Sequence, residues 1–228
     1  MPYLPRADYD AVIFDCDGVL IDSERIAVAI LKDDLTEFGL RMSEEEVHHR
    51  FTGWLTAQIA VTVAAETGMA VPPDWVRRHN ALVREAVASG VEPIDGVIDV
   101  LDALDANGIG WGVASQSDPT YLERGLGRVG IWQRAPGRVV SAQTVARPKP
   151  APDVYLTAME LVGTRPDRAI IVEDSPTGVR AGVAAGARVI GYAADRAPDD
   201  LISAGASDTV PTMTELLGAL GLSPVAVA

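Results

Sequence analysis

Acidic residues occur as close pairs at two points where short apolar runs of this sequence end. Carboxylates brought together repel one another, and some become protonated unless a cation holds them. A hard divalent ion that prefers oxygen ligands, above all Mg²⁺, is the natural partner for such a group. If both runs end at one edge of the fold, the sequence predicts a magnesium site there. Its candidate ligands are Asp15, Asp17, Glu173 and Asp174.

A hydroxyl group and a lysine follow two other runs of the same kind. Ser115 and Gln116 come after residues 110–114, and Lys149 lies between two prolines in the loop after residues 138–140. A hydroxyl, nearby backbone N–H groups and an ammonium can hold the oxygens of a phosphate. Combined with acids around a metal ion, they indicate phosphoryl transfer, which depends on positioning and charge neutralisation.

Each of these residues also has an ordinary structural interpretation. Ser115 could end a turn, Lys149 could be a surface charge, and the acids at 173–174 could cap the helix that follows them. Lys149 is, however, one of only two lysines among 19 basic residues, the other being Lys32. The occurrence of all these residues in order, at successive strand ends, favours a functional site.

Strands that alternate with helices would bring these residues to one edge. Such an order predicts a parallel, doubly wound α/β sheet, whose ligands bind beyond the carboxyl ends of its strands. The predicted strands are 11–14, 110–114, 138–140, 169–172 and 188–192, and the clearest helical patterns between them are 97–106 and 152–162.

Residues 22–91 interrupt this alternation with consecutive helical patterns and no strand. Asp22 or Ser23 can cap the first helix, Ser43 with Glu46 forms a capping box, and Gly90 follows the last pattern. We therefore expect a Rossmann-like core formed by 1–21 and 92–228, with 22–91 inserted as a separate helical domain.

Composition limits the classes of partner. The 228 residues carry 19 basic and 32 acidic side chains, a net charge of −13, which argues against nucleic-acid and anionic-membrane partners. No apolar run approaches the ~18 residues of a membrane span. Residues 1–10 lack the pattern of a signal peptide, and the single cysteine, Cys16, excludes an intramolecular disulfide. We expect a cytoplasmic monomer that acts on a small phosphate ester.

Histidine and tryptophan residues carry less information. His48, His49 and His79 show no metal-ligand spacing with cysteine, which favours positions on solvated helix surfaces. Tryptophans usually pack in cores, but Trp54, beside Gly53 in the helical insert, is a candidate for contact with a ligand.

The chain resembles the haloacid dehalogenase superfamily, in particular its branch of phosphatases and sugar phosphomutases with a helical cap. The segment FDCDGVLIDSE at 14–24 resembles the first motif of the family, and Ser115 matches the second. The segments KPAPD at 149–153 and VEDSPTG at 172–178 match the third and fourth. The resemblance covers nearly the whole chain and implies the same α/β fold, with the insert as the cap domain.

The resemblance also implies a mechanism. Asp15 would be the nucleophile that forms an aspartyl-phosphate, and Asp17 would protonate the leaving alkoxide and then deprotonate water. An acid at Asp17 disfavours dehalogenation, and Lys32 is the only cap lysine available for phosphonate cleavage. Mg²⁺ would be held by the Asp15 side chain, the Asp17 backbone carbonyl, Glu173 and Asp174, and the phosphoryl group by Ser115, the Gln116 backbone and Lys149.

The cap departs from the pattern of the mutases in this family. Residues 53–56 contain no basic side chain where β-phosphoglucomutase-like members have an arginine for a second phosphate, and Ala27 replaces a histidine. The predicted function is therefore a Mg²⁺-dependent phosphatase for a sugar or polyol phosphate. The alternatives are a sugar phosphomutase and a phospho-accepting receiver domain. The expected cap contacts to substrate are Arg50, Gly53, Trp54 and Thr56.

Overall fold

The chain divides into two units, Asp22–Val91 and the residues on either side of that range. The structure, a computed structural model, describes residues 8–52 and 54–225. Its helices are α1 (Ser23–Glu37), α2 (Glu44–Phe51), α3 (Thr56–Thr67), α4 (Trp75–Gly90), α5 (Val97–Ala106), α6 (Pro119–Arg128), α7 (Asp153–Val162), α8 (Pro176–Ala184), α9 (Pro198–Ala204) and α10 (Met213–Ala219). Its strands are β1 (Ala11–Phe14), β2 (Gly110–Ser115), β3 (Val139–Ser141), β4 (Ala169–Glu173), β5 (Arg188–Tyr192) and β6 (Asp208–Val210).

The strands form one parallel sheet in the order β3-β2-β1-β4-β5-β6. β1 is buried along its whole length and lies between two neighbours, with Phe14 opposite Val113 of β2 and Val172 of β4. From β1 the sheet continues through β2 to β3 on one side, and from β4 it continues through β5 to β6 on the other. The order in which the chain adds strands therefore reverses between β1 and β4. Such a point is where open α/β sheets bind ligands. The predicted doubly wound α/β fold is confirmed.

Two glycines in β2 allow α7 to pack closely on the sheet. A Cβ atom at Gly110 would lie 2.7 Å from Val162 of α7, and one at Gly112 would lie 2.9 Å from the same side chain. The side chain between them, Trp111, is completely buried, and its Nε1 donates to Asp105 at 2.8 Å. These glycines thus provide space for a neighbouring helix while β2 remains a regular strand.

The unit Asp22–Val91 consists of α1 to α4 around its own apolar cluster. The Asp22 side chain accepts from the backbone N–H of Arg25, and Ser43 and Glu46 form the predicted capping box at the start of α2. α4 continues through Gly90 instead of ending before it. The buried apolar cluster comprises Leu31, Leu35, Phe38, Val47, Phe51, Ile59, Val63 and Trp75.

The prediction that His79 lies on a solvated helix surface is wrong. Its side chain is buried, its Nδ1 lies 2.7 Å from Asp34 Oδ2, and its ring lies beside Trp75 in the apolar cluster. A polar ring needs a hydrogen-bond partner when it is buried, and Asp34 provides one across the helix pair. His48 is half-buried and His49 is exposed.

The edge strand β6 is a feature that the sequence patterns did not reveal. It has three residues, of which only Val210 is buried, so it lacks the apolar run that marks the other strands. Within the described ranges, no helix combines the length and the apolar character needed to cross a membrane.

Candidate active site

Asp15 is the first residue after β1 and lies at the carboxyl edge of the sheet. Its backbone N–H donates to the carbonyl of Val172 in β4 at 3.0 Å, so the residue remains attached to the sheet. Its side chain is buried, and its Oδ1 accepts a hydrogen bond of 2.6 Å from Lys149 Nζ. The strand and the lysine together fix the position of this carboxylate.

Lys149 connects Asp15 with the acid at the end of β4. Its Nζ also donates to Oε1 of Glu173 at 2.8 Å, and it lies 4.6 Å from the centre of the Tyr155 ring. The lysine is buried, so its charge is balanced by these two carboxylates and by the face of the ring rather than by water. Lys149 is therefore an internal cation that joins the third and fourth motifs, not a surface charge.

Glu173 has no solvent exposure, and the protein satisfies both of its carboxylate oxygens. Oε1 accepts from Lys149 and, at 2.9 Å, from the Tyr155 hydroxyl. Oε2 accepts from the backbone N–H of Ser175 at 2.8 Å and from its hydroxyl at 2.9 Å. The absence of a side chain at Gly178 makes room for this group, since a Cβ there would overlap the Glu173 carboxylate.

The buried charges do not balance within this cluster. Burial raises the pKa of Asp15 to about 7 even though Lys149 opposes the shift. Burial opposes the charge of Glu173 as well, but Lys149 and the hydrogen bonds to the carboxylate keep its pKa below the usual value. Burial also disfavours the charge of Lys149, yet the two acids hold its pKa well above normal. A single ammonium thus lies between two carboxylates, and the negative charge that it leaves unbalanced favours a further cation.

A candidate metal centre lies beside this pair. Oxygen atoms of Asp15, Glu173 and Asp174 lie within 4.8 Å of one another. The turn after β1 approaches Asp174 so closely that a Cβ atom on Gly18, whose φ is +75°, would lie 2.5 Å from Asp174 Oδ2. Arg196 Nε donates to the Asp174 carbonyl at 3.0 Å and fixes the loop from the other side. Hard oxygen donors of this kind fit a small divalent cation such as Mg²⁺.

The Asp17 carboxylate does not join that group of acids. Its Oδ2 accepts from the Ser117 hydroxyl at 2.8 Å, and its Oδ1 accepts from the Tyr121 hydroxyl at 2.6 Å. Asp15 and Asp17 therefore have different surroundings, one beside an ammonium and other acids, the other between two hydroxyl groups.

The second motif lies against the third. Ser115 is the buried last residue of β2, and its Oγ accepts from the backbone N–H of Ser117 at 3.0 Å. The Gln116 carboxamide accepts from the backbone N–H of Lys149 at 3.2 Å and approaches its carbonyl at 3.5 Å. The Gln116 side chain thus holds the Lys149 loop in place.

The expected substrate contacts of the helical unit have partners within that unit. Arg50 forms an ion pair with Glu66 and lies 4.9 Å from the centre of the Phe51 ring. Trp54 is exposed and packs edge-on against the same ring, while the Thr56 hydroxyl donates to Asn80 at 3.0 Å. Trp54 and Thr56 line a cavity of about 140 Å³ within this unit, and Gly53 lies outside the described residues.

Sequence reasoning overlooked several members of the site. Tyr155 and Ser175 hold Glu173, and Ser117 and Tyr121 hold Asp17. Two signals were available. Ser117 lies two residues past the end of β2, where a hydroxyl can reach the same edge, and Ser175 lies within the segment VEDSPTG at 172–178. Tyr121 is 104 residues from Asp17 in the chain, and no spacing rule connects them.

The comparison with family models matches residues 12–192 to the model described as haloacid dehalogenase-like hydrolase. The chain is similar to 6-phosphogluconate phosphatase of Escherichia coli, with 29% identity over 82% of this chain and 83% of that protein. It is also similar to hexitol phosphatase A of Escherichia coli, with 30% identity over 78% of this chain and 80% of that protein.

A solved structure extends this similarity to three dimensions. A haloacid dehalogenase family hydrolase from Deinococcus radiodurans, solved with bound phosphate and sodium, has 31% identity and a TM-score of 0.83. The alignment covers 96% of this chain and all of that chain. The similarity therefore includes both units of the present chain.

Proposed function

This chain belongs to the haloacid dehalogenase-like hydrolase family and is a phosphoric monoester hydrolase, and we propose that it hydrolyses a small sugar or polyol phosphate with the help of Mg²⁺. The observation that carries the proposal is the buried cluster in which Asp15 shares Lys149 with Glu173 beside Asp174. The named activities of the two Escherichia coli relatives, on 6-phosphogluconate and on hexitol phosphate, support the substrate class.

In the first step, a carboxylate oxygen of Asp15 attacks phosphorus while the bond from phosphorus to the ester oxygen breaks. Asp17 gives its proton to that oxygen, and the alcohol leaves. Lys149 holds the attacking carboxylate in place through its 2.6 Å hydrogen bond. The products of this step are the free alcohol, an aspartyl-phosphate on Asp15 and an ionised Asp17.

In the second step, Asp17 takes a proton from a water molecule whose oxygen attacks phosphorus. The bond from phosphorus to Asp15 breaks, inorganic phosphate leaves, and both acids return to their starting states. Ser115, the Gln116 backbone N–H and Lys149 bind the phosphoryl oxygens in both steps.

The metal ligands in this proposal are the side chains of Asp15 and Asp174 with the backbone carbonyl of Asp17. Glu173 belongs to the same centre, but each of its oxygens already accepts two hydrogen bonds, so its main task is to hold Lys149. Mg²⁺ bound here supplies the positive charge that keeps the acids ionised and neutralises the phosphoryl oxygens.

The unit Asp22–Val91 is the proposed cap, which contributes contacts to the leaving group. One cavity in this unit, of about 140 Å³, is lined by apolar side chains together with Glu24, Thr52, Thr56 and His79. Hydroxyl and carboxylate groups of this kind suit a polyhydroxylated alcohol. We propose Trp54 and Thr56 as cap contacts, together with Arg50 and Gly53.

The test is a panel of phosphate esters assayed for inorganic phosphate with Mg²⁺ and with a chelator. The panel contains 6-phosphogluconate, sorbitol 6-phosphate, phosphoglycolate and β-glucose 1-phosphate. We expect release that requires Mg²⁺, a phosphoenzyme trapped by acid quenching, and loss of both in Asp15→Asn. Asp199→Asn, an exposed change on α9, is the matched control with normal release.

Three results would contradict the proposal. Mg²⁺-dependent release that survives in Asp15→Asn would remove the nucleophile. Isomerisation of β-glucose 1-phosphate without net release would indicate a phosphomutase. A stable phosphoenzyme that does not turn over would indicate a phospho-accepting signalling domain.

A further inference from the structure

The carboxylate of Asp17 is held by one hydroxyl group on each oxygen. The Ser117 hydroxyl donates to Oδ2 at 2.8 Å, and the Tyr121 hydroxyl donates to Oδ1 at 2.6 Å. Hydrogen bonds to a carboxylate of this length are among the stronger ones in proteins. The two donors come from separate positions, a loop and a helix, and together they limit rotation of the carboxylate plane.

Both donors are themselves fixed by the structure. The Ser117 N–H donates to Ser115 Oγ at 3.0 Å, and the Ser117 carbonyl accepts from the Ser141 hydroxyl at 2.7 Å. Tyr121 lies in the first turn of α6, where its N–H donates to the capping side chain of Asp118 at 3.0 Å. The loop after β2 and the start of α6 therefore form a rigid support for the two hydroxyl groups.

We propose that Tyr121, assisted by Ser117, is a positioning residue for proton transfer by Asp17. The inference rests on the proposed function, because it takes Asp17 as the group that protonates the leaving oxygen. When Asp17 gives up its proton, both of its oxygens share a negative charge, and each has a hydroxyl donor ready to receive it. The same contacts hold the carboxylate in one orientation for the proton that it takes from water in the second step.

The alternative is that these contacts only attach α6 to the loop after β1. The two interpretations differ in their dependence on the leaving group. A nitrophenolate ion leaves without protonation, whereas a sugar or polyol alkoxide needs a proton as the bond to phosphorus breaks. Loss of positioning at Asp17 therefore slows transfer from an alkyl ester and spares transfer from an aryl ester. A distorted site slows both.

The experiment compares kcat/KM for p-nitrophenyl phosphate with kcat/KM for the alkyl ester that the panel shows to be turned over fastest. This ratio reports phosphoryl transfer to Asp15 and not the later hydrolysis. We expect Tyr121→Phe to lower kcat/KM for the alkyl ester by about tenfold or more, as a partial loss of general acid catalysis. The value for p-nitrophenyl phosphate should stay within about twofold of the wild type on the same reasoning.

Several variants serve as controls. Tyr9→Phe, two residues before β1, removes a tyrosine hydroxyl that donates to the backbone carbonyl of Leu220 at 2.7 Å, and it should leave kcat/KM for both esters unchanged. Ser117→Ala should act in the same direction as Tyr121→Phe, and Ser117→Thr, which keeps the hydroxyl, should restore activity. In an Asp17→Asn background, Tyr121→Phe should have no further effect, because residues acting through one group are not additive.

The outcomes separate this inference from the proposal on which it rests. If Asp17→Asn leaves alkyl ester turnover unchanged, the proposed proton donor is wrong. If Asp17→Asn is selective for alkyl esters but Tyr121→Phe and Ser117→Ala are not, only the positioning role is overturned. An equal loss for both esters in these two variants also overturns it. If Tyr121→Phe does not fold, Ser117→Ala and Ser117→Thr decide the question.

Discussion

Lys149 donates a hydrogen bond of 2.6 Å to Asp15 although the two residues are 134 positions apart in the chain and both are buried. The same ammonium donates to Glu173 at 2.8 Å. One cation thus holds the proposed nucleophile and the acid at the end of β4. We therefore expect the stability of the free protein and its catalytic activity to depend on the same small group of side chains.

Replacement of this lysine should affect both stability and activity. Lys149→Met leaves two buried carboxylates without their cation, which should lower the free energy of unfolding by about 3 kcal/mol. It should also lower kcat/KM for phosphate release by about 10²- to 10³-fold, as for loss of a preorganised charge. Urea unfolding and steady-state kinetics measure the two effects.

The only other lysine provides the matched control. Lys32 forms an exposed ion pair with Glu44 at 2.7 Å, and exposed pairs contribute little. Lys32→Met should therefore leave unfolding and kcat nearly unchanged. Equal effects of the two substitutions would show that the burial of Lys149 has no functional consequence.

A methyl group at Gly178 should displace the Glu173 carboxylate and so disturb the site. The Cβ atom of Gly178→Ala would overlap the Glu173 carboxylate, so Glu173 and its partner Lys149 must move. We expect a loss of about 1–3 kcal/mol in the free energy of unfolding, typical of an overpacked interior. Phosphate release should fall with it, and both are measured on the purified variant.

The same change in an open helix position should have the opposite sign. Gly218 in α10 is exposed, and a Cβ atom there meets nothing within 4 Å. Gly218→Ala should raise the free energy of unfolding by up to about 1 kcal/mol, because alanine favours a helix over glycine. If Gly178→Ala were equally stabilising, the close packing described at Glu173 would be wrong.

The metal-free protein should show a pH-dependent stability that originates at Asp15. Burial raises the pKa of Asp15 to about 7 from its usual 3.8, so the folded state holds this proton more tightly than the unfolded state. The free energy of unfolding therefore falls as pH rises between these values, by at most about 4 kcal/mol. Asp15→Asn removes this penalty. It should be more stable than the wild type above pH 7 in a chelator, with the difference vanishing near pH 4.

Asp153 should behave in the opposite way in the same experiment. A hydrogen bond from Arg147 lowers the pKa of Asp153, so the ionised form stabilises the folded state above the usual carboxyl pKa. This contribution is lost as pH falls through the folded-state pKa. Asp153→Asn should therefore be less stable than the wild type at neutral pH and equal to it in acid. Matching pH profiles for the two variants would contradict the assignment at Asp15.

The capping box of α2 should support local stability of the unit Asp22–Val91. Ser43 Oγ accepts from the Glu46 N–H at 3.2 Å, while the Glu46 side chain accepts from the Ser43 N–H at 2.7 Å. Ser43→Ala should cost about 1 kcal/mol and speed hydrogen exchange of α2 amides. Ser89 lies inside α4, and its hydroxyl donates to the preceding carbonyls of Glu85 and Ala86, so Ser89→Ala is the control and should cost nothing. Unchanged exchange in Ser43→Ala would contradict the role of the cap.

Local patterns in the sequence were sufficient to predict most of the fold. Continuous apolar runs mark strands covered on both faces, as in β1 and β4. Helical patterns between such runs indicate that the strands they connect are parallel. The three-residue edge strand β6 was not predictable, because half of its surroundings is solvent and its residues show no apolar run. The two glycines of β2 become understandable only when Val162 of α7 is seen against them.

The sequence by itself determined which acids, hydroxyl and lysine lie at the strand ends, because parallel strands bring their carboxyl ends to one edge whatever the details of packing. Only the tertiary structure decided which of them form hydrogen bonds and ion pairs with one another. Lys149 could have been a surface residue, and the Asp17 carboxylate could have joined the other acids instead of Ser117 and Tyr121. The angle and depth at which helices pack on the sheet determine which of these side chains come into contact. These depend on contacts between residues far apart in the chain, which no local pattern records.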